Sequence, residues 1–411
     1  MKFFKYCAGE KIRGEVPTLK LAINGKFLGQ VSGRSGVYRV AYEMVLAIDK
    51  LLSKDAGLAQ RITCCILLPL DNFSDLKLQN VELIASGPWS AALDSRLWEQ
   101  FVLPWAAKGH VLLNLCNLGP TIYKNAYTMM HDAQVRASPG SYSLTFRLWY
   151  QLIQPRLAKV NRGVLTVSQF SREQLDRYGI VPASRVRVIH NGCDHVLRHG
   201  ADETMVERAG LTSKTYVVAL ANTQRHKNIG ILFKAFEAES MRDITLALFG
   251  SAIREDFEKL GYHVPSNVKF VGRISDEELS GLLGEAIALA FPSLTEGFGL
   301  PPLEAMLLGC PVVAAPCGAL VEVCGDAVLW ANPHVASEWA SQIAYLHADS
   351  GRAGRIANTG RLHAASYTWE NAARRLLTMM LEDSANDLEL ESGGHSNGNE
   401  ISGDRQLSKK W

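Results

Sequence analysis

The chain lacks the features that announce the simplest classes of function. None of its eight cysteines (Cys7, Cys64, Cys65, Cys116, Cys193, Cys310, Cys317 and Cys324) stands in a CxxC pair. Most lie in apolar surroundings, so they read as reduced core thiols, and a reducing cytoplasm is the expected home. Cys310, Cys317 and Cys324 are evenly spaced, but no paired-ligand pattern accompanies them and no metal site is expected. Long apolar runs are missing as well. FVLPWAAKGHVLLNL is broken by Lys108, Gly109 and His110, short of the roughly 20 residues that a bilayer demands. The opening MKFFKYCAGEKIRGE is interrupted by charge before any useful apolar run, so no secretory signal is expected. There is no GxGxxG spacing for a dinucleotide, no Asp-x-Asp pair in a loop after a strand, and no repeat of a fixed period. A net charge of +2 is too small for a nucleic-acid binder.

What is present is the material of a large soluble protein. The 411 residues exceed the usual single core, and 47 % apolar with 20 % charged residues is a globular balance. One asymmetry stands out in residues 1–40. Lys2, Lys5, Lys11, Arg13, Lys20, Lys26, Arg34 and Arg39 face only Glu10 and Glu15 there, which is either a solvated basic face or one that rests on anionic lipid.

Short β-branched runs alternate with longer helical patterns, the signature of parallel sheets covered by helices. Seven strand candidates lie in the first half, at 18–24, 61–68, 81–85, 110–114, 126–130, 163–167 and 185–189. Six lie in the second, at 215–221, 244–250, 268–272, 287–291, 311–315 and 327–330. The pattern predicts an α/β protein of two doubly wound, Rossmann-like parallel-sheet domains facing a central cleft, where ligands bind beyond the strand ends. The first domain is expected over 1–198, a polar linker over 199–214 and the second domain over 215–366. A helix over 367–383 crosses back towards the first domain, and a polar tail over 384–411 is expected to be disordered. In FRLWYQLIQPRLAKVNR, Phe146, Trp149, Tyr150, Ile153 and Leu157 share one helical face, which packs on a core or lies at a membrane interface.

The most informative stretch is FPSLTEGFGLPPLEAMLLGCPVVAA (291–315). A strand leads into a glycine loop, and the double proline opens a helix. Amides near Gly299 and Leu300 then sit at the positive end of a helix dipole, and Gly297 and Gly299 let an anion come close. Glu296 and Glu304 border that site. Carboxylates repel a phosphate but accept hydrogen bonds from hydroxyls beside it, so a sugar and a ribose on either side of a diphosphate fit. Either glutamate alone is equally explained as a surface residue or a dipole partner.

TEGFGLPPLEAM resembles the Glu-x7-Glu signature of retaining glycosyltransferases of family 4, whose fold is GT-B. LANTQRHKNIGILFKAF (220–236), MHDAQ (130–134) and SGVYRVAYEM (35–44) are similar to the family's phosphate-binding segment, sugar-site histidine and glycine turn. The resemblance spans about 18–383, makes the second domain the nucleotide-sugar domain and the first the acceptor side, and implies residue roles. Glu296 would hold hydroxyls of the donor sugar and Glu304 the ribose hydroxyls. Phe298, Gly299 and Leu300 would give backbone contacts, Lys227 would neutralise the diphosphate, Gly36 would let the first domain close on it, and His131 would sit beside the transferred sugar. Many relatives carry an arginine where this chain has Asn222 and a proline where it has Arg225; Arg225 either supplies the second positive charge or faces solvent.

Asp132 either orients His131 or caps the next segment, and Arg34 and Arg39 are acceptor-side charges or ordinary surface. The expected reaction moves a hexose, mannose from GDP-mannose by likeness to bacterial polysaccharide mannosyltransferases, to a carbohydrate or polyprenyl-linked acceptor. No cofactor or metal ion is expected, because Lys227 and the helix end take the leaving charge. Partners would be the nucleotide sugar, the acceptor saccharide and an anionic membrane surface at the cytoplasmic face, with no nucleic acid. Two other readings stay open: a glycoside hydrolase using Glu296 and Glu304, and a sugar-nucleotide-binding protein without turnover.

Overall fold

The computed structural model describes residues 18–29, 36–69, 76–86 and 94–393, with the side chains of 388–393 excepted. The basic residues Lys2, Lys5, Lys11, Arg13 and Arg34, and tail residues 394–411, lie outside the described residues. Thirteen strands form two all-parallel sheets among the described residues. β1 (Leu19–Asn24), β2 (Ile62–Leu68), β3 (Val81–Ala85), β4 (Val111–Asn114), β5 (Ala126–Met129), β6 (Gly163–Thr166) and β7 (Val186–Val188) are ordered 3-2-1-4-5-6-7. β8 (Tyr216–Ala221), β9 (Thr245–Gly250), β10 (Val268–Gly272), β11 (Ala288–Phe291), β12 (Val312–Ala314) and β13 (Leu329–Trp330) are ordered 10-9-8-11-12-13. Every expected strand is present, because continuous apolar β-branched runs are what a doubly covered parallel strand requires. The two doubly wound domains are those expected from the sequence.

Each order reverses once, between β1 and β4 and between β8 and β11, and crevices open at such switch points. Both faces of the first sheet are covered. Leu21 and Ile23 lie under helix Gly36–Lys54 and the C-terminal helix Trp369–Gly393. On the opposite face Ala22 and Leu112 lie under Trp98 and Leu103, and Val164 lies under Ile153 and Leu157 of helix Leu144–Val160.

Two boundaries differ from expectation. Residues 199–214 are folded onto the second domain rather than spanning a gap: the Asp202 amide donates to Glu277 O and the Lys214 amide to Glu285 O. Within the stretch, helix Met205–Arg208 buries Met205 and Val206, which its polar composition hides. The C-terminal helix also runs to Gly393, past the expected end at 383, since ANDLELES is rich in helix formers.

The chain passes from the first domain to the second near residues 189–194 and returns near 364–369, and the two passages touch. The Cys193 amide donates to Tyr367 O at 2.9 Å, and the Trp369 amide to Asp194 Oδ1 at 2.7 Å. A Cβ on Gly192 would stand 2.2 Å from the Trp369 nitrogen, so only glycine fits. Beyond the crossing, the returning helix is pinned to the first domain by Lys54–Glu370, Arg374–Asp55 and Arg187–Asp383 ion pairs. No helix among the described residues is long and apolar enough to cross a membrane.

Candidate functional site

The loops after β8 and β11 converge at the second switch point and carry most of the candidate residues. After β8, Asn222 Oδ1 accepts from the Gln224 amide at 2.8 Å and turns the chain into the single 3-10 turn Arg225–Lys227. Asn222, which departs from the family pattern, is therefore a turn former. Asn228 follows in the left-handed region (φ 53°), its Nδ2 donating to Pro292 O and Pro333 O, which ties this loop to the one after β11. Lys227 is aimed inward by that turn, and its Nζ lies 2.7 Å from Glu296 Oε1. Arg225 is exposed.

The loop after β11 is held by close backbone packing. Gly299 (φ 105°) is the N-cap of helix Leu300–Leu307, and because Pro301 and Pro302 have no N–H, Leu300 supplies the one amide of the first three helical positions at the crevice end. Gly318 (φ 62°) backs onto Glu296, where a Cβ would stand 2.6 Å from the Glu296 nitrogen. Phe298 is buried beside His190 and Tyr367.

Glu304 lies one turn into the helix, its Oε1 3.1 Å from His195 Nε2. Trp369 Nε1 donates to His195 Nδ1 at 3.1 Å. An indole N–H can only donate, so Nδ1 is the acceptor and Nε2 carries the proton given to Glu304. The imidazole is thus neutral and fixed in one tautomer.

The first domain reaches the same region. The Gly297 carbonyl lies within hydrogen-bond reach of Ser168 Oγ (2.7 Å) and Ser171 Oγ (3.0 Å), and Ser171 Oγ is also 2.8 Å from His131 O. A Cβ on Gly297 would come within 2.9 Å of that same His131 carbonyl. His131 is buried, and its Nε2 donates to Leu115 O at 2.8 Å, which leaves Nδ1 with a free lone pair. Burial pulls the His131 imidazole down to about 4, the Leu115 carbonyl opposing in part. Asp132 accepts from the Gln134 amide at 2.9 Å, a turn just ahead of helix Gln134–Ala137, whose N-cap is Ala133; burial pushes its carboxyl up.

Gly36 opens helix Gly36–Lys54 with empty space where a Cβ would be. One turn on, Arg39 makes a bidentate pair with Asp276 of the second domain at 2.6 and 2.7 Å. Arg39 is therefore tied to the second domain rather than free surface. Glu322 makes a second bridge, accepting from the Gln169 and Phe170 amides at a helix start of the first domain and from His190.

The structure thus brings Lys227 and Glu296 together in the loops ahead of the helix that starts at Leu300, sets Glu304 beside His195, and lays the His131 backbone against the Gly297 loop. Sequence reasoning missed His195, Trp369, Asp276, Ser168 and Ser171. His195 directly follows the turn-like Asn191-Gly192-Cys193-Asp194, a signal of special backbone that marks the domain crossing.

Comparison with known proteins bears on the family and the fold. Residues 202–363 match the family described as Glycosyl transferases group 1. O-antigen chain mannosyltransferase B of Escherichia coli is 30 % identical over 276 residues, which take in 63 % of this chain and 72 % of that protein. D-inositol 3-phosphate glycosyltransferase of Salinispora arenicola is 29 % identical over 245 residues, 54 % of each chain, so about half of that relative is matched. Among solved structures, sucrose-phosphate synthase from Thermosynechococcus elongatus superposes with a TM-score of 0.63 at 20 % identity, over 92 % of this chain and all of that one, a likeness of fold.

Proposed function

We propose, because this chain belongs to the glycosyl transferases of group 1, that it moves a hexose from a nucleotide diphosphate sugar to a carbohydrate or polyprenyl-linked acceptor in polysaccharide biosynthesis. The observation that carries this reading is the meeting of Lys227, Glu296 and the amide end of helix Leu300–Leu307 beyond β8 and β11. Lys227 Nζ has three protons and spends one on Glu296, so it can hold the diphosphate while keeping that carboxylate in place for the sugar hydroxyls. The Leu300 amide and the helix dipole take further negative charge. Glu304, oriented by His195, is suited to the paired hydroxyls of a ribose. Phe298 and Gly299 contribute backbone, and Gly36 leaves room for the first domain to close.

The reaction is written as retaining. The C1–oxygen bond to the diphosphate breaks as the acceptor oxygen joins C1 from the same face, and the acceptor proton passes to the leaving phosphate oxygen. His131 offers Nδ1 as an acceptor beside the transferred sugar. Lys227 and the helix end serve as the cationic groups, so no metal ion or cofactor is assigned. Mannose from GDP-mannose is put first, on the name of the Escherichia coli relative. The acceptor side is placed at the cytoplasmic face of a membrane.

A donor panel of GDP-mannose, UDP-glucose and dTDP-glucose, followed by saturation-transfer NMR and by the anomeric configuration of product in EDTA, tests these points. Transfer from GDP-mannose with retention in the chelator is expected. Preferential binding of a uridine sugar removes the mannose assignment, and loss of turnover in EDTA removes the metal-free one. Release of sugar from a nucleotide-free glycoside, abolished by Glu296→Gln, would replace transfer by hydrolysis.

A further inference from the structure

The helical stretch 95–106 consists of Ser95–Leu97, a π-helical turn Trp98–Val102 and Leu103–Ala106. In an unbroken α-helix residues seven apart lie on nearly one side. Here the wider turn breaks that register, so Trp98 is buried in the sheet while Trp105 points out. Leu97, Phe101 and Trp105 form an outward row, 48 % to 71 % exposed. Helix Leu144–Val160 carries a second row, Leu144, Leu148 and Leu152, 65 % to 70 % exposed, on the side opposite Ile153 and Leu157. This row was not anticipated from the sequence.

The two rows share one layer. Both helical segments cover the same face of the first sheet, because Ala126 and Val164, beneath them, point to the same side through the β5–β6 register. Segment 115–125 joins them: Gln100 bonds to Gly119 O and Thr121, Asn161 Nδ2 donates to Tyr123 O, and exposed Ile122 lies between.

Each apolar piece ends on an exposed cation: Trp105 before Lys108, Ile122 before Lys124, Leu152 before Arg156. From residue 94 to residue 162 the acids are Asp94, Glu99 and Asp132, and the exposed Asp94 caps the first helical segment by accepting from the Arg96 amide. Glu99 is buried and bonded to Asn24 and Lys26, and Asp132 is turned to the Gln134 amide. An apolar, aromatic surface fringed by exposed lysines and arginines that outnumber its one exposed acid, Asp94, suits anionic lipid, with apolar side chains among acyl chains and long cations reaching the headgroups. A second copy of the chain would set cation against cation.

We propose that this outer layer of the first domain is a docking surface for an anionic bilayer. The rows begin at Leu97 and Leu144, at the strand ends that face the cleft, so a membrane seated there meets the mouth of the site. The proposal deepens the lipid-linked acceptor part of the function above, but its test uses no nucleotide sugar, so either can fail alone.

The full chain is mixed with vesicles of equal parts phosphatidylglycerol and phosphatidylcholine, or of phosphatidylcholine alone, and sedimented. Binding is expected to the anionic vesicles, weakened by salt, and reduced about tenfold or more by Phe101→Ser with Trp105→Ser, and again by Leu148→Ser with Leu152→Ser. Arg156→Gln with Lys159→Gln should weaken it without touching the apolar rows. Thermal midpoints of these surface variants should stay at the parent value. Absence of vesicle binding overturns the proposal. So does binding that survives both serine pairs, which assigns it to another segment, or a dimer in light scattering that the same pairs dissociate, which assigns the face to a second copy.

Discussion

Single residues decide how the site is held. Glu304 was legible because it follows Glu296 with seven residues between them and lies one turn into a proline-opened helix, but its partner was not, since nothing local links position 195 to position 304. With His195 locked as a donor by Trp369, the Glu304 carboxylate is held in place, and on the proposed function His195 is a positioning residue. Loss of one neutral-to-charged hydrogen bond corresponds to about 1.5–3 kcal/mol. His195→Ala is accordingly expected to raise donor KM by ten- to a hundredfold with kcat less affected, and His195→Gln to restore part of it. Equal loss in both parameters counts against positioning.

His131 supports a pH prediction. Its native imidazole is depressed to about 4, so the unfolded chain takes up the proton first as pH falls below 6.5. Stability from this group is complete above 6.5 and is lost as pH falls towards 4, by roughly 2 kcal/mol at pH 5. Denaturant titrations at pH 7 and pH 5 should show that difference in the parent protein relative to His131→Asn, in which the slope flattens.

At the scale of elements, the strands could be read throughout because burial on both faces leaves uninterrupted apolar runs. Helix starts with Pro301 and Pro302 were equally plain. What could not be read were features set by contacts distant in sequence. The π turn at Trp98–Val102 has no compositional mark, and the folding of 199–214 onto the second domain depends on Glu277 and Glu285. Gly318 is the clearest element-level test: its positive φ and the nearness of the Glu296 backbone leave no room for a side chain. Gly318→Ala should cost about 1–3 kcal/mol of stability and displace Glu296, lowering transfer more than tenfold. Circular dichroism melts and donor kinetics on one preparation check both. Unchanged values would mean that the loop yields easily.

For the whole molecule, the two-domain plan followed from length and strand alternation, whereas the fastenings between domains did not. Arg39–Asp276 joins residues 237 positions apart, and Glu322 reaches a helix start more than 150 positions away. The Arg39 pair is partly exposed, so its removal should change the balance between open and closed forms by about 1 kcal/mol, roughly fivefold. Arg39→Ala is expected to enlarge the ligand-free radius of gyration in X-ray scattering. No change would show that the Glu322 and Gly297 contacts suffice to keep the cleft shut.

The contact of Gly192 with Trp369 bears on how that cleft can move at all. A body tethered at one point tumbles, and one tethered at two separated points is nearly fixed. Two tethers bonded side by side behave like a door on a single pin, leaving one swing and little twist. Substrate entry and product exit would then use the same arc, and a methyl group wedged at position 192 would jam it.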